Sequence, residues 1–500
     1  MTETTKRLLP LPREYADRLK EFFGGRLYPA IIAAAVLIGH ITALEFYIAI
    51  PILLVSAFAF LVCDSVKHFI PTLLTFLYLV NLKHTPGSMD GGINPGSDYY
   101  SQPYVFITMA VMFAILLIAV ILYTLTTLVP RIRDGGKAPL LLPLSLLSAA
   151  FLLGGAFSSG WQIASLVFGF AEAAVYFLLF YLFYYGLKRE NINGLINYVC
   201  YIALLSAFII IAELAFVYVT RSDAIFVDGV LHKEAIALGW GISNPIGNAL
   251  VILVPLLMLG AIRCKAYPVY LVTALLTCVS VFLTFSRNGI VVCLLVLTAS
   301  VVVAYFTSTL KKTLGISLCC GMGAVTVGAL IFSDKIAEIV THFSRIGSAD
   351  NGRFKLWKQS LDNFLDSPIF GKGFFDWGEM DVYEIAGFVP TMSHNTILQL
   401  MSSMGIVGLG AYLFYRVMTL IPFFKNISRE KIFILLSVAA LLLGGMLDNF
   451  MFYFQGVFLY VILLALVFLM RDYEEQFAHE NEYDEDEDED DDEEGYTYYD

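Results

Sequence analysis

The sequence predicts an all-α, polytopic integral membrane protein with about 12–14 transmembrane helices and one long extracytoplasmic loop that bears an amphipathic helix. Of the 500 residues, 58% are hydrophobic and only 15% are charged, and the mean hydropathy is +0.74. This composition is too apolar for an ordinary soluble domain. Apolar runs of bilayer-crossing length recur along the chain, and most lysines and arginines fall on one side of them.

The apolar runs divide the chain into fourteen predicted spans, of which 69–82 is short for a full crossing. The first run follows a basic leader without a small-residue cleavage site, which indicates a retained span rather than a secretory signal. The runs lie at about 27–44, 46–62, 69–82, 104–129, 139–156, 161–186, 195–219, 245–262, 266–284, 288–307, 313–332, 395–415, 431–448 and 452–470.

The lysines and arginines predict the orientation, because they favour the cytoplasmic side of a membrane. With both termini in the cytoplasm, 21 of the 31 lie in inner segments. The exceptions gather at two outer sites and include Arg287, Arg345, Arg353, Lys355, Lys358 and Lys372. Cations collected on an outer face suggest an anionic ligand.

Five regions follow from this partition. They are a basic cytoplasmic N-terminus at 1–26, a transmembrane bundle at 27–332, an extracytoplasmic loop at 333–394, further transmembrane helices at 395–471 and an acidic cytoplasmic tail at 472–500. The tail holds 17 of the 43 acidic residues and no basic one, so we expect it to be disordered. Without it the charge is 31 minus 26, or +5.

No metal, cofactor or nucleic-acid site is expected. The Asp-x-Asp pattern of the tail arises from a continuous acidic run. All seven cysteines lie within spans or on the inner side, where disulfides are not expected, and no Cys/His metal spacing occurs.

The outer loop contains a predicted amphipathic helix. From Gly352 to Pro368, apolar side chains recur at helical spacing, which predicts a helix on the outer membrane interface. These side chains are Phe354, Trp357, Leu361 and Phe364.

Five short motifs follow one another between residues 240 and 415, about a third of the chain. They are Ser286-Arg287, Gly352-Arg353 with Trp357, Asp366-Ser367-Pro368-Ile369-Phe370-Gly371-Lys372-Gly373, His394-Asn395, and Gly405-Ile406-Val407-Gly408. In this order the chain resembles the O-antigen ligase and O-antigen polymerase family.

The resemblance implies a GT-C-like membrane glycosyltransferase of the bacterial cytoplasmic membrane. Such an enzyme takes glycan from an undecaprenyl-pyrophosphate-linked oligosaccharide and transfers it to a hydroxyl of a glycan or lipid-linked acceptor on the outer face, without metal or nucleotide sugar. Cell-surface polysaccharide biosynthesis and partners in polysaccharide assembly are implied with it. The fourteen spans and the acidic tail depart from the family pattern, so the branch of the family, ligase or polymerase, stays open.

Arg287 and Arg353 match the arginines of these motifs. Displacement of undecaprenyl pyrophosphate leaves charge on its oxygens, and guanidinium groups stabilise such charge through paired hydrogen bonds. Near a low-dielectric membrane edge the contact is less screened than in water. The alternative for Arg287 is a side chain that merely snorkels at the end of a span.

His394 is the predicted catalytic base, because an acceptor hydroxyl loses its proton during attack and a histidine titrates near neutrality. The alternative is that His394 caps the next helix, a role that Ser393 or Asn395 fills equally well. Asn395 is also a predicted substrate-binding residue.

Other outer residues have two readings each. Arg345 and Lys372 add to the positive outer field, and Arg221 is a further substrate-binding candidate. Trp357 and Trp377 either stack on sugar rings or anchor the loop at the interface. Residues of a second group line the site or pack between helices; they are Trp240, Asn244, Asn248, Asp448 and Asn449.

Two rival functions remain from the sequence. A transporter or lipid-linked oligosaccharide flippase predicts charges within spans and an internal repeat, whereas the cations gather on one face. A non-catalytic partner of a polysaccharide export complex suits the acidic tail but leaves the arginine and histidine motifs without a role.

Overall fold

The computed structural model describes residues 12–73 except 43, 103–134, 138–307 except 228–229 and 239–240, 311, 316, 353–374, and 393–490 except 453. The structure is 85% helical, which confirms the predicted all-α class. The strands of the described residues form two short antiparallel hairpins, in which Phe226–Val227 pairs with Val230–Leu231 and Ala237–Leu238 pairs with Gly241–Ile242.

The helices of the described residues are numbered here in chain order. They are α1 (Arg13–Gly24), α2 (Leu27–Thr42), α3 (Glu45–Val62), α4 (Pro103–Tyr123), α5 (Val129–Asp134), α6 (Leu141–Leu153), α7 (Ile163–Leu187), α8 (Ile192–Ile225), α9 (Ser243–Arg263), α10 (Tyr267–Leu283), α11 (Arg287–Thr307), α12 (Arg353–Asp366), α13 (Thr396–Phe424), α14 (Arg429–Gly445) and α15 (Phe454–Asp490). A π-helical turn, Thr124–Leu128, joins α4 to α5.

Seven of the described helices are long and apolar enough to cross a membrane, and an eighth span results if α1 and α2, which meet at 57°, are counted as one. Three shorter apolar helices, α3, α6 and α10, coincide with further predicted spans. The structure therefore confirms a polytopic membrane protein. The total of about 12–14 spans stays a prediction, because the predicted spans at 69–82 and 313–332 lie largely or wholly outside the described residues.

Ion pairs and hydrogen bonds join one set of helix ends, called here the basic end. Arg131 of α5 donates to the carbonyl oxygens of Tyr185, Gly186 and Asp64 at 2.7–3.2 Å. Lys20 of α1 pairs with Asp64 as well. Other ion pairs at this end include Lys67–Glu190, Arg263–Glu430, Lys425–Glu475 and Lys431–Glu474.

The opposite end, called here the His394 end, holds the other helix termini. The Phe46 and Tyr104 rings, 6.2 Å apart, join the beginnings of α3 and α4 there. The chain thus leaves Asp64 at the basic end and re-enters at the His394 end.

The centre of the bundle is α9, of which 89% of the most apolar window is buried. It contacts α8, α10, α11 and α14 and is apolar on every side, as expected for a helix with no lipid-facing stripe. Because it contacts both α11 and α14, α9 holds the two helix ends that build the candidate site.

Two details differ from the sequence expectation. Arg416 does not lie in an inner segment but is buried within α13, against the rings of Tyr412, Tyr415 and Tyr460 at 4.4–5.5 Å. Cation–π contact of this kind stabilises a buried guanidinium group.

The second difference is α15, which continues as a helix to Asp490 within the acidic segment. The predicted disorder of 472–500 stays a prediction, and 491–500 lie outside the described residues. The ion pairs of Glu474 and Glu475 fix the first turns of α15 beyond the span, and glutamate has a high helix propensity.

Candidate functional site

A glycine-rich turn after α12 inserts into a break in α13. Gly405 has φ +62° and interrupts the helix, which frees hydrogen-bonding groups on both sides of it. The N–H groups of Lys372 and Gly373 donate to the carbonyl oxygens of Ser402 and Ser403 at 2.8 and 3.0 Å. On the other side, Ile406 and Val407 donate to the carbonyl oxygens of Pro368 and Ile369 at 2.8 and 3.2 Å. The two family-like motifs therefore form one interlocked unit.

Glycine is required at two positions of this unit. A Cβ on Gly405 would lie 2.4 Å from the backbone of Ile369, and one on Gly371 would lie 2.3 Å from the carbonyl carbon of Ser403. Both residues also have positive φ, which side chains rarely adopt. The motif glycines thus serve close backbone packing at the His394 end.

The helix α12 buries a face other than the apolar face that the sequence predicts to lie on the membrane interface. Leu356, Ser360 and Asn363 are its buried residues. Phe354 and Leu361 are exposed, at 66% and 43%. Ser360 packs inward against the Ser393 hydroxyl of the neighbouring turn, and the exposed apolar side chains suit a membrane interface.

Side chains of α12 hold the turn that carries His394. The indole Nε1 of Trp357 donates to the carbonyl oxygen of Ser393 at 3.0 Å. The hydroxyls of Ser360 and Ser393 lie 2.7 Å apart. Trp357 therefore anchors the loop to the site rather than standing free, and its predicted contact with sugar stays a prediction.

His394 itself does not cap α13. The cap is Asn395, whose Oδ1 accepts the N–H of Leu398 at 3.0 Å and whose Nδ2 donates to the carbonyl oxygen of Met446 at 2.9 Å. Asn395 is buried, and both ends of its amide serve the fold. The capping alternative for His394 is wrong, since its ring is directed elsewhere.

The ring of His394 meets a carboxylate. Its Nδ1 lies 3.2 Å from Oδ1 of Asp448, in the turn after α14. The side chain of His394 is 28% exposed, whereas that of Asp448 is 4% exposed. His394 also has φ +49°, an uncommon conformation for a residue other than glycine. A partly accessible imidazole held by a buried carboxylate is an arrangement typical of a general base.

Burial alone would raise the pKa of Asp448, but other groups outweigh it. The hydrogen bond and charge of His394, the N–H of Asn449 and the Arg353 guanidinium together hold the pKa of Asp448 below its usual value. The carboxylate is therefore ionised at neutral pH. Arg353 is the first residue of α12 and is half-buried, and its charge acts at the His394–Asp448 pair.

Arg287 lies at the start of α11, after a strained turn. Phe285 has φ +53°, and the Ser286 hydroxyl accepts the N–H of Gly289 at 3.1 Å, which caps the helix. The next residue, Asn288, is buried and donates to the Gly444 carbonyl oxygen at 3.1 Å. Arg287 is thereby directed outward and is exposed.

The end of α14 gathers these elements. Asn288 contacts Gly444, whereas Asn395 and Thr396 donate to the carbonyl oxygens of Met446 and Gly445. The motifs of Arg287 and His394, more than a hundred residues apart in sequence, thus pack on one short segment.

The remaining predicted residues divide into two groups. Lys372 pairs with Asp366 at 2.8 Å. Asn248 is buried and accepts from Asn288 at 3.3 Å, so its helix-packing reading is confirmed. Arg221 marks a break in α8 and is half-buried. Arg345, Trp377 and Trp240 lie outside the described residues.

Sequence reasoning left Asp448 as a residue that either lines the site or packs between helices, and it did not single out Gln399. Asp448 was detectable as an acidic residue at the end of an apolar run, where an unpaired carboxylate is costly. Gln399 gave a weaker signal, an amide one turn into a span.

The described helices define a multi-pass membrane protein, and the motif residues meet at one end of its bundle. Residues 272–413 match the family model described as O-antigen ligase, which confirms the predicted resemblance and supports assignment to the O-antigen ligase family. The matched segment includes Arg287, Arg353 and His394 and ends before Asp448. The match supports, in general terms, a membrane ligase or polymerase of glycans. A comparison with curated proteins finds no match to the chain.

Proposed function

We propose that the protein is a metal-independent glycosyltransferase that moves glycan from an undecaprenyl-pyrophosphate-linked oligosaccharide to an acceptor hydroxyl on the outer face of the cytoplasmic membrane. The observation that carries the proposal is the contact of His394 with buried Asp448, beside the charge of Arg353. The family match supports the general class of the reaction.

His394 takes the proton of the acceptor hydroxyl. If Nδ1–H donates to Asp448, Nε2 keeps its lone pair and accepts that proton. Asp448 then stabilises the imidazolium that forms. The 28% exposure of the His394 side chain leaves it accessible to an acceptor, while the buried Asp448 keeps the ring orientation.

Arg287 and Arg353 hold the leaving group. The acceptor oxygen forms a bond to the anomeric carbon as the bond from that carbon to the pyrophosphate oxygen breaks, and the electron pair leaves with undecaprenyl pyrophosphate. Two guanidinium groups neutralise the charge that develops on those oxygens. A divalent metal ion is not needed for this role when arginines fill it.

The His394 end faces the outside of the cell in this proposal. The lysines and arginines collected at the basic end favour the cytoplasm. Labelling of single cysteines with an impermeant reagent in intact cells tests the orientation. Position 380 should be labelled and position 490 protected, and the reverse pattern would reject the mechanism as oriented.

A lipid-linked oligosaccharide flippase is the second candidate, because Arg416, Glu172 and Glu213 are buried within helices. Charged side chains inside a bundle are a mark of transport pathways. Arg416 has its tyrosine rings as an alternative explanation.

One assay separates the two. Purified protein in nanodiscs is given a defined undecaprenyl pyrophosphate glycan and an acceptor in the presence of a chelator, and the products are separated by size. Transfer is expected with the chelator present. Absence of transfer, together with movement of the donor between leaflets of proteoliposomes, would replace the glycosyltransferase by the flippase.

A further inference from the structure

We propose that Gln399 is a positioning residue that holds His394 in its reactive orientation through two hydrogen bonds to one oxygen atom. The inference rests on the proposed function, since it assigns a role at the same site.

The carbonyl oxygen of the Gln399 side chain accepts from both sides of the His394–Asp448 pair. It accepts the backbone N–H of Ser393 at 2.8 Å and Nδ2 of Asn449 at 2.8 Å. Gln399 is 3% exposed, and its own Nε2 donates to the Ser403 hydroxyl at 2.9 Å. Every hydrogen-bonding atom of its amide is therefore committed.

Asn449 completes a closed ring. Its backbone N–H donates to Oδ1 of Asp448 at 2.8 Å, the same oxygen that meets Nδ1 of His394. Asn449 is thus tied to Asp448 through its backbone and to Gln399 through its side chain. Ser393, the residue directly before His394, closes the ring on the other side.

The ring explains how His394 keeps its positive φ. A residue other than glycine keeps φ +49° only when several contacts of the surrounding structure hold its backbone in that conformation. Ser393 is held by Gln399, Trp357 and Ser360, and Asn395 is held by the carbonyl of Met446. The backbone on both sides of His394 is therefore fixed, and Gln399 is the link between that backbone and Asp448.

Replacement of Gln399 by leucine removes the shared acceptor at nearly constant size. The buried N–H of Ser393 and the amide of Asn449 then lose their partner, so both groups rearrange to find another. Small displacements of a catalytic group reduce rate strongly while substrate binding persists. The glutamate variant keeps an acceptor oxygen at the same position, whether neutral or ionised.

The experiment compares Gln399→Leu with Gln399→Glu and with Ser403→Ala in purified full-length protein. Ser403→Ala is the matched control, since it removes only the outer hydrogen bond of the same amide. We expect Gln399→Leu to lower kcat about tenfold or more with little change in KM for the donor. Gln399→Glu should recover most of that loss, and Ser403→Ala should remain within about twofold of wild type.

A double variant distinguishes positioning from general damage. If Gln399 acts through His394, the double variant His394→Ala/Gln399→Leu should transfer no more slowly than His394→Ala alone. Additive losses, or a parallel rise in donor KM without rescue by glutamate, would overturn the positioning role. Wild-type transfer in His394→Ala would instead reject the proposed base, so the two failures are distinguishable.

Discussion

The two ends of the bundle are built by different interactions. At the basic end, lysines and arginines meet carboxylates, as in the pairs Lys431–Glu474 and Arg263–Glu430. At the His394 end, the side-chain oxygen of Gln399 accepts from Ser393 and Asn449, which closes a ring of hydrogen bonds around the His394–Asp448 pair. The positive-φ glycines of the described residues all lie in the second region or in the turns packed on it; they are Gly155, Gly371, Gly373 and Gly405.

The comparison distinguishes charged side chains that hold helices together from charged side chains that serve the proposed site. Paired charges at the basic end fasten helices and leave little for a ligand. At the His394 end, positive φ at Phe285 and at His394 sets the direction of Arg287 and His394, and backbone strain of this kind persists only where the surrounding structure holds it. Buried polar networks of this kind also specify one arrangement of a site.

The largest expected effect comes from Gly405→Ala, which tests whether the interlocked glycine turn builds the His394 end. The new Cβ would lie 2.4 Å from the Ile369 backbone at a positive φ. We expect a loss of about 3 kcal/mol or more in stability and the loss of transfer. Thermal unfolding in detergent and the transfer assay measure the two effects.

Gly410→Ala is the matched control, because a Cβ there meets nothing within 4 Å and the residue has ordinary helical φ. It should leave melting and transfer near wild type. Equal tolerance of alanine at both positions would remove the glycine turn from the account.

Arginine geometry gives the next largest effect. Arg287→Lys and Arg353→Lys keep the charge and lose the planar pair of donors, so transfer should fall about tenfold or more if bidentate contact matters. Lys358→Arg is a control on the exposed surface of α12. Rates are compared at saturating donor, and full activity in both lysine variants would show that charge alone suffices.

Asp448→Asn should have a smaller effect, of about tenfold on transfer, because the imidazole keeps a hydrogen-bonding partner but loses the charge that stabilises its protonated form. Wild type should also melt at a higher temperature than the variant at pH 6.

That stability advantage has a defined pH dependence. The pKa of Asp448 is lower in the folded protein than in the unfolded chain. Its contribution is therefore fully present above the unfolded pKa of about 4 and lost as pH falls through the lower folded pKa. The difference in melting temperature between the two proteins should shrink as the pH falls from 6 to 3. An unchanged difference at pH 3 would contradict the ionised state assigned here.

The smallest effect concerns the basic end. Truncation after Gln476 keeps the pairs of Glu474 and Glu475 and should leave transfer and melting unchanged. Truncation after Arg471 removes Glu474, which supplies the carboxylate that pairs with Lys431. Because Lys431 is fully buried, the loss of this partner is costly. It should lower the melting temperature while transfer per folded molecule persists. Loss of transfer in the protein truncated after Gln476 would show that the basic end also contributes to function.

Much of the fold was predictable because hydropathy reports bilayer crossing directly. Twelve of the fourteen predicted spans coincide with described helices. For the site, the sequence predicted individual residues but not their contacts. The order of the motifs identified His394, but not its partner Asp448. Asp448 is 54 residues away, and no local pattern records that contact.

Other features depend on tertiary packing that no local pattern reports. The inward face of α12 is set by its polar neighbours, and Arg416 is buried because three tyrosine rings surround it. The helical continuation of α15 into the acidic segment depends on ion pairs with residues of other elements. Composition alone predicted disorder there.

The most direct measurement is made on His394→Ala in two assays of the same purified protein. Donor binding is measured by equilibrium titration with the undecaprenyl pyrophosphate glycan, and chemistry is measured by single-turnover transfer. If His394 is the base, transfer falls about a hundredfold or more. Donor affinity then remains close to wild type, because Arg287 and Arg353 are intact. Near-normal transfer, or a loss explained entirely by weaker donor binding, would contradict the assignment of His394 as the catalytic base.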